Sequence, residues 1–170
     1  DLGADHGFAV EDLHTVRVSD DRVSSTRSRE ALTHGDLETA AQLLGRPYRI
    51  CGRVAHGDKR GRTIGFPTAN VGVPGGMCLP ADGVYAGFYE RPDGGVYGCA
   101  INLGRRPTFY EHADASLLEA HLLDVDVDLY GETAQVRFEH FLRSERKFDG
   151  VDALIAQLGH DVAHARDLLA

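Results

Sequence analysis

Three stretches of this chain carry residue types able to do chemistry. The densest runs from Gly52 to Arg62, where three glycines and four lysine or arginine side chains share eleven residues. Glycine lets a backbone approach a ligand closely, and free N–H groups in such a loop cradle anions. Lysine and arginine add charge-assisted hydrogen bonds to phosphate. The stretch lacks the Gly-x-x-x-x-Gly-Lys-Ser/Thr spacing of a Walker A loop, and the competing reading is an exposed hairpin with solvated charges. The second stretch is Gly65-Phe66-Pro67-Thr68-Ala69-Asn70. Thr68 and Asn70 offer neutral oxygens on a stiff proline platform, a donor type that suits a hard cation such as Mg2+ that also binds substrate phosphates. Read alone, it is an ordinary turn. The third is Ser116–Leu123, where Leu117, Leu118, Leu122 and Leu123 mark a buried strand with Glu119 in its middle. Alternation puts Glu119 and His121 on one face. A partly desolvated glutamate has a raised pKa and serves as a general base; the other reading is a solvent-facing strand side.

Weaker signals resolve to bland readings. Asp124, Asp126 and Asp128 alternate like the first ligands of an EF-hand, but Leu129 occupies the glycine position and Gln135 the final glutamate. They read as a solvated strand end. His160 and His164 stand one helical turn apart without the glutamate of His-Glu-x-x-His, and read as an exposed helix face. Arg105-Arg106, before Pro107-Thr108, is a weak anion signal.

The positioning elements are mostly β. Tyr48–Val54, Gly83–Glu90, Gly95–Leu103, Ser116–Leu123 and Thr133–Leu142 are rich in β-branched and aromatic residues with alternation. Ile64–Val71 is a weaker strand, interrupted by Pro67, and Pro92-Asp93-Gly94-Gly95 signals a hairpin. Five or six short strands with glycine turns predict a small antiparallel barrel or sandwich, and a barrel leaves no open edge. Ahead of them, Asp36 caps a helix through Leu44 that Gly45 and Pro47 stop, and a shorter helix follows Ser24-Ser25 to near Gly35. This leading segment is too small to hold its own core. After the strands, Asp149 is the expected cap of a helix with Val151, Leu154, Ile155, Leu158, Val162, Ala165 and Leu169 on one stripe, and Gly159 inside it weakens the helix enough to allow a bend or local break.

Composition bounds the function. The chain has 170 residues, 42% apolar and 26% charged, enough for one domain with a real core plus an appendage. A formal charge of −8 argues against nucleic-acid binding, which needs a broad basic surface. No apolar run approaches the roughly 18–20 residues that span a bilayer, and no signal peptide is visible, so no membrane partner is expected. Cys51, Cys78 and Cys99 are odd in number and widely spaced, and read as reduced residues of a cytoplasmic protein. The chain begins at Asp1 rather than Met, and is expected to be a fragment or processed product.

In their order along the chain, these segments resemble the riboflavin kinases. Gly52–His56, Gly61–Asn70 and Leu79-Pro80-Ala81-Asp82-Gly83-Val84-Tyr85-Ala86-Gly87 carry the resemblance. Ile101-Asn102-Leu103-Gly104, Pro107-Thr108-Phe109, Glu119–Asp124, Leu129-Tyr130-Gly131 and Phe141–Asp149 continue it, over about residues 46–169. The resemblance implies a six-stranded antiparallel Greek-key barrel with a C-terminal helix and a short helical N-terminal extension. It implies transfer of the ATP γ-phosphoryl group to the riboflavin 5′-hydroxyl, giving FMN and ADP. Thr68 and Asn70 would bind Mg2+ and nucleotide phosphates, and Glu119 would be the base. Gly57, Lys59, Gly61 and Arg62 would cover the nucleotide, while Thr108, Phe109 and Arg143 would lie on the flavin side, in a slot between barrel and C-terminal helix. Val23-Ser24-Ser25-Thr26-Arg27-Ser28-Arg29 resembles the end of the adenylyltransferase module of bacterial bifunctional FAD synthetases. Residues 1–45 are thus expected to be a remnant of that covalently linked module, with Ser25 and Arg29 vestigial, and residues 46–170 the kinase domain. FMN adenylylation is not expected of this chain. The competing function is a non-catalytic flavin- or nucleotide-binding module, and Glu119 discriminates between the two.

Overall fold

Alternation along six strands decides which side chains fill the interior. The structure, a computed structural model, describes residues 2–9, 11, 14–18, 21–57, 60–105 and 116–170. A short helix α1 (Leu2–His6) and a two-stranded hairpin, β1 (Arg17–Val18) with β2 (Asp21–Arg22), precede helices α2 (Ser25–Thr33) and α3 (Leu37–Leu44). Strand β3 (Arg49–Ala55) leads through a single turn α4 (Arg60–Thr63) to β4 (Ala69–Val71). Then come β5 (Gly83–Glu90), β6 (Val96–Arg105), β7 (Ser116–Leu122), β8 (Thr133–Ser144) and the helix α5 (Val151–Leu169).

The strands close a barrel in the order β3-β4-β7-β6-β5-β8. Its strand pairs are antiparallel. β5, β6 and β7 form a meander and β8 returns beside β5, which is a Greek key. The sequence therefore anticipates the architecture; the weak strand candidate Ile64–Val71 shrinks to β4, because Phe66-Pro67 cannot sustain a ladder on both sides.

The interior is filled by Ile50, Tyr85, Tyr89, Ile101, Leu118, Val136 and Phe138, all buried. The Tyr85 and Phe138 rings meet edge to face at 5.1 Å. Buried phenols need acceptors. Tyr48 donates to the Cys78 carbonyl at 2.5 Å, Tyr85 to the Ala81 carbonyl, and Tyr89 to Glu132 at 2.9 Å. Burial pushes the Tyr48 phenol up to about 12 and the other two upward as well, so all three stay protonated donors at neutral pH. Two of these bonds pin the segment before β5 to the barrel wall.

That segment also receives the N-terminal helices. Ser24 caps α2 by accepting from the Arg27 amide, and Asp36 caps α3 by accepting from the Thr39 amide. Gly45, in the left-handed region at φ 69°, ends α3. The Ala81 amide donates to the Leu32 carbonyl at 3.0 Å. Ala31, Leu32, Leu37 and Ala40 join the same buried cluster as Ile50 and Tyr85.

α5 crosses the outer face of β5 and β6, where Ala86, Ala100, Leu123 and Ala165 form a second buried cluster. The expected cap of this helix needs correction. Its cap is Gly150, at φ 154°, and no side-chain hydrogen bond caps it; that backbone conformation is open almost only to glycine, which moves the start one residue past Asp149. The helix also runs through Gly159 without interruption. Val151 lies outside the buried stripe, 58% exposed. Phe141 and Leu168 remain exposed on the outer surface.

Leu32 is 3% exposed, so Leu32→Ala is expected to lower the unfolding free energy of the barrel by about 2–5 kcal/mol. Urea denaturation followed by far-UV circular dichroism measures it.

Candidate active site

β7 lies between β4 and β6, and its two faces divide the labour. Leu118 and Ala120 point inward and are fully buried. Glu119 and His121 occupy the alternate, half-buried positions. Directly opposite Glu119 stand Asn70 on β4 and Asn102 on β6. The same row continues to Val84 on β5 and Arg143 on β8. Directly opposed residues in an antiparallel sheet share a face at Cβ separations of about 4.5–5.5 Å, so a carboxylate sits between two carboxamides on the outside of the barrel. Asn102 lies within a motif that carries the resemblance, but the sequence alone assigned it no role.

The glycine-rich stretch closes on the same place. A Cβ on Gly57 would lie 2.6 Å from the Asn70 Cγ, so any larger residue there would displace the Asn70 carboxamide. A Cβ on Gly61 would lie 3.6 Å from the Thr68 hydroxyl oxygen. The Phe66 amide donates to the Gly61 carbonyl at 2.8 Å, tying the turn to the Pro67-Thr68 platform. His121 Nδ1 donates to the Pro67 carbonyl at 2.7 Å, and its ring meets Phe66 edge to face at 5.6 Å. The structure thus gathers Gly57, Gly61, Thr68, Asn70 and Glu119. Lys59, Thr108 and Phe109 lie outside the described residues.

Beside this group a cleft of about 310 Å3 opens at the end of the barrel. Val54, Ala69, Ala120, Leu122 and Leu129 give it an apolar floor, and Arg62, Thr68, Asp126 and Asp128 a polar rim. That size and lining suit one small molecule. His56 and Tyr130 stack at 3.9 Å, and Tyr130 also lines the cleft. Asp126 and Asp128 are exposed, as a solvated strand end should be, yet they border this cleft. Asp128 also accepts from the Tyr130 amide at 3.1 Å. Asp124 turns away, pairing with Arg166 of α5 at 2.8 Å; that guanidinium holds its carboxyl below the usual range. His160 and His164 are exposed on α5.

Arg143 is engaged. Its Nε and Nη2 donate to both oxygens of Asp161 at 2.6–3.1 Å, and its guanidinium lies 5.8 Å from the Phe148 ring centre. Gln157 donates to Asp161 at 2.7 Å. Asp161 is 5% exposed. Its signal in the sequence was a carboxylate among apolar residues at helical spacing, between Leu158 and Ala165.

A closed Greek-key barrel with an apolar cleft, a glycine turn and one outward carboxylate in register with carboxamides is the framework of a small-molecule enzyme. The chain belongs to the riboflavin kinase family: residues 44–169 match the family described as Flavokinase: Riboflavin kinase. It is 44% identical over 160 residues to a bifunctional riboflavin kinase/FMN adenylyltransferase of Haemophilus influenzae, an alignment covering 94% of this chain and 51% of that protein. The corresponding Bacillus subtilis protein is 46% identical over 154 residues, covering 90% and 48%. The chain therefore spans about half the length of these relatives. Among solved structures, a riboflavin kinase from Trypanosoma brucei superposes with a TM-score of 0.53 at 26% identity, covering 72% of this chain and 80% of that one. A crystal structure described as a macrolide-efflux protein from Streptococcus pneumoniae superposes with a TM-score of 0.80 at 38% identity, covering 89% of this chain and 49% of that one. Among the described residues, no helix is long and apolar enough to cross a membrane.

The Arg143–Asp161 pair has side chains only 19% and 6% exposed. Removing one partner from a buried pair leaves an uncompensated charge. Asp161→Ala is expected to cost about 3–5 kcal/mol in a urea melt, whereas Arg166→Ala, at an exposed pair, should leave the midpoint nearly unchanged.

Proposed function

We propose that this chain transfers the γ-phosphoryl group of ATP to the 5′-hydroxyl of riboflavin, giving FMN and ADP. The observation that carries this reading is the register that sets Glu119 opposite Asn70, beside Thr68 and the glycine turn. In the reaction the riboflavin hydroxyl oxygen bonds to the γ-phosphorus, the bond to the β-bridging oxygen breaks, and ADP leaves. A primary alcohol stays protonated at neutral pH, so a carboxylate that accepts its proton speeds the attack. Glu119 takes that role. The rest is positioning and neutralising phosphate charge, which falls to the Gly57 and Gly61 turn, to Arg62 and, by the family resemblance, to Lys59.

The donor set fits Mg2+. Among the described residues no three His, Cys, Asp or Glu side chains converge as a metal cluster. The Thr68 hydroxyl and the Asn70 carboxamide oxygen would hold the ion, with phosphate and water supplying its other ligands, the usual habit of Mg2+. When bound, the ion screens the charge of the phosphates. Asp126 and Asp128 line the cleft, so a bare triphosphate would meet like charges there. The apolar floor of the cleft takes the nucleobase.

On the flavin side, Asn102 faces Glu119 from the strand opposite Asn70. Arg143 acts there through Asp161, by fixing α5 against the barrel. Thr108 and Phe109 complete that side on the strength of the resemblance. Residues 46–170 form the kinase unit, and residues 1–45 link it to an adenylyltransferase module such as the relatives carry. The free thiols Cys51, Cys78 and Cys99 suit the reducing cytoplasm.

Glu119→Ala is expected to lower turnover at least about 10²-fold while riboflavin still quenches on binding, as measured by flavin fluorescence and chromatographic FMN assay. Near-normal turnover would remove Glu119 from the mechanism. Gly57→Ala drives a methyl group into the Asn70 carboxamide and is expected to lower kcat/KM for ATP by roughly 10²-fold with the melting temperature retained.

A further inference from the structure

His121 has no part in the chemistry described so far, yet it makes a specific contact. It shares the outer face of β7 with Glu119, two residues away. Its Nδ1 lies 2.7 Å from the Pro67 carbonyl oxygen. A carbonyl only accepts, so Nδ1 carries the proton.

The bonded group matters more than the bond. The Pro67 carbonyl and the Thr68 amide belong to one planar peptide unit. Proline fixes its own φ and confines the residue before it to extended backbone, so Phe66-Pro67 is already stiff. The main freedom left to this stretch is rotation of the Pro67–Thr68 peptide plane. The imidazole holds that plane, and the edge of Phe66 holds the imidazole. Immediately downstream, Ala69 pairs with Ala120 and Asn70 with Glu119. The ladder fixes Asn70 from one side and His121 fixes the approach to Thr68 from the other.

We propose that His121 is a positioning residue for phosphoryl transfer, orienting the Pro67–Thr68 peptide so that the Thr68 and Asn70 oxygens face the nucleotide phosphates in register with Glu119. The proposal deepens the kinase reading and rests on it for the identity of the ligand.

The test compares His121→Ala, His121→Asn and His121→Phe in the full chain. Asparagine keeps a short N–H donor for the Pro67 carbonyl; phenylalanine keeps the ring against Phe66 without the donor. Three quantities are read: KM for ATP, KM for riboflavin, and Mg·ADP affinity by calorimetry without riboflavin. The expected result is a roughly tenfold loss in Mg·ADP affinity and in kcat/KM for ATP for the Ala and Phe variants, the scale of one hydrogen bond. KM for riboflavin stays within about twofold, and the Asn variant recovers most of the loss. Nucleotide affinity unchanged in Ala and Phe overturns the proposal, as does an Asn variant no better than Phe, or an equal loss for both substrates tracking a lowered melting temperature. Calorimetry needs no turnover, so a wild-type chain that binds Mg·ADP but makes no FMN fails the kinase reading while the same variants still decide the role of His121.

Discussion

Everything at the site depends on the place of one strand. β7 is paired on both edges, and its alternation is strict: Leu118 and Ala120 are buried in the barrel, so Glu119 and His121 must face outward. A slip of one residue would put the carboxylate into the core and two apolar side chains on the surface. The hydrophobic interior therefore fixes the register, and the register fixes which polar groups stand beside Glu119. Asn70 and Asn102 need no contact of their own to be held there. Barrel closure adds to this, because a closed sheet has no free edge along which the pairing can drift.

The cleft and the carboxylate lie on two sides of the same short strand. β4 contributes Ala69 to the apolar floor and Asn70 to the outer row. Thr68 stands at the junction, on the rim of the cleft and next to the glycine turn. On the proposed reading, a nucleotide seated in the cleft runs its phosphates past Thr68 toward the face that carries Glu119. This geometry explains why a three-residue strand suffices. Proline ends it on one side, and the imidazole of His121 donates to the Pro67 carbonyl, which lies beyond the end of the ladder.

Much of this was legible in the sequence, for identifiable reasons. Strong alternation gave away the long strands, and Asp36 and Gly45 marked a helix by local chemistry that needs no tertiary partner. Glu119 stood out because a carboxylate interrupted an apolar strand, whereas Thr68 and Asn70 read alone as an ordinary turn and gained a role only through the family resemblance. What stayed hidden depends on contacts distant in sequence. Nothing in the composition of β6 marks Asn102 until β7 lies beside it. The salt bridge that occupies Arg143 requires knowing that Asp161 of α5 faces β8. Asp126 and Asp128 looked solvated and are, but the turn after β7 folds them over the cleft mouth. The start of α5 was displaced by a backbone angle that only glycine tolerates well.

The most direct test is turnover of the chain itself. Incubated with riboflavin, ATP and Mg2+, and resolved by chromatography into riboflavin, FMN and FAD, it should form FMN and ADP in equal amounts and no FAD. Riboflavin bound without any FMN formed would contradict the account and leave a binding module in its place.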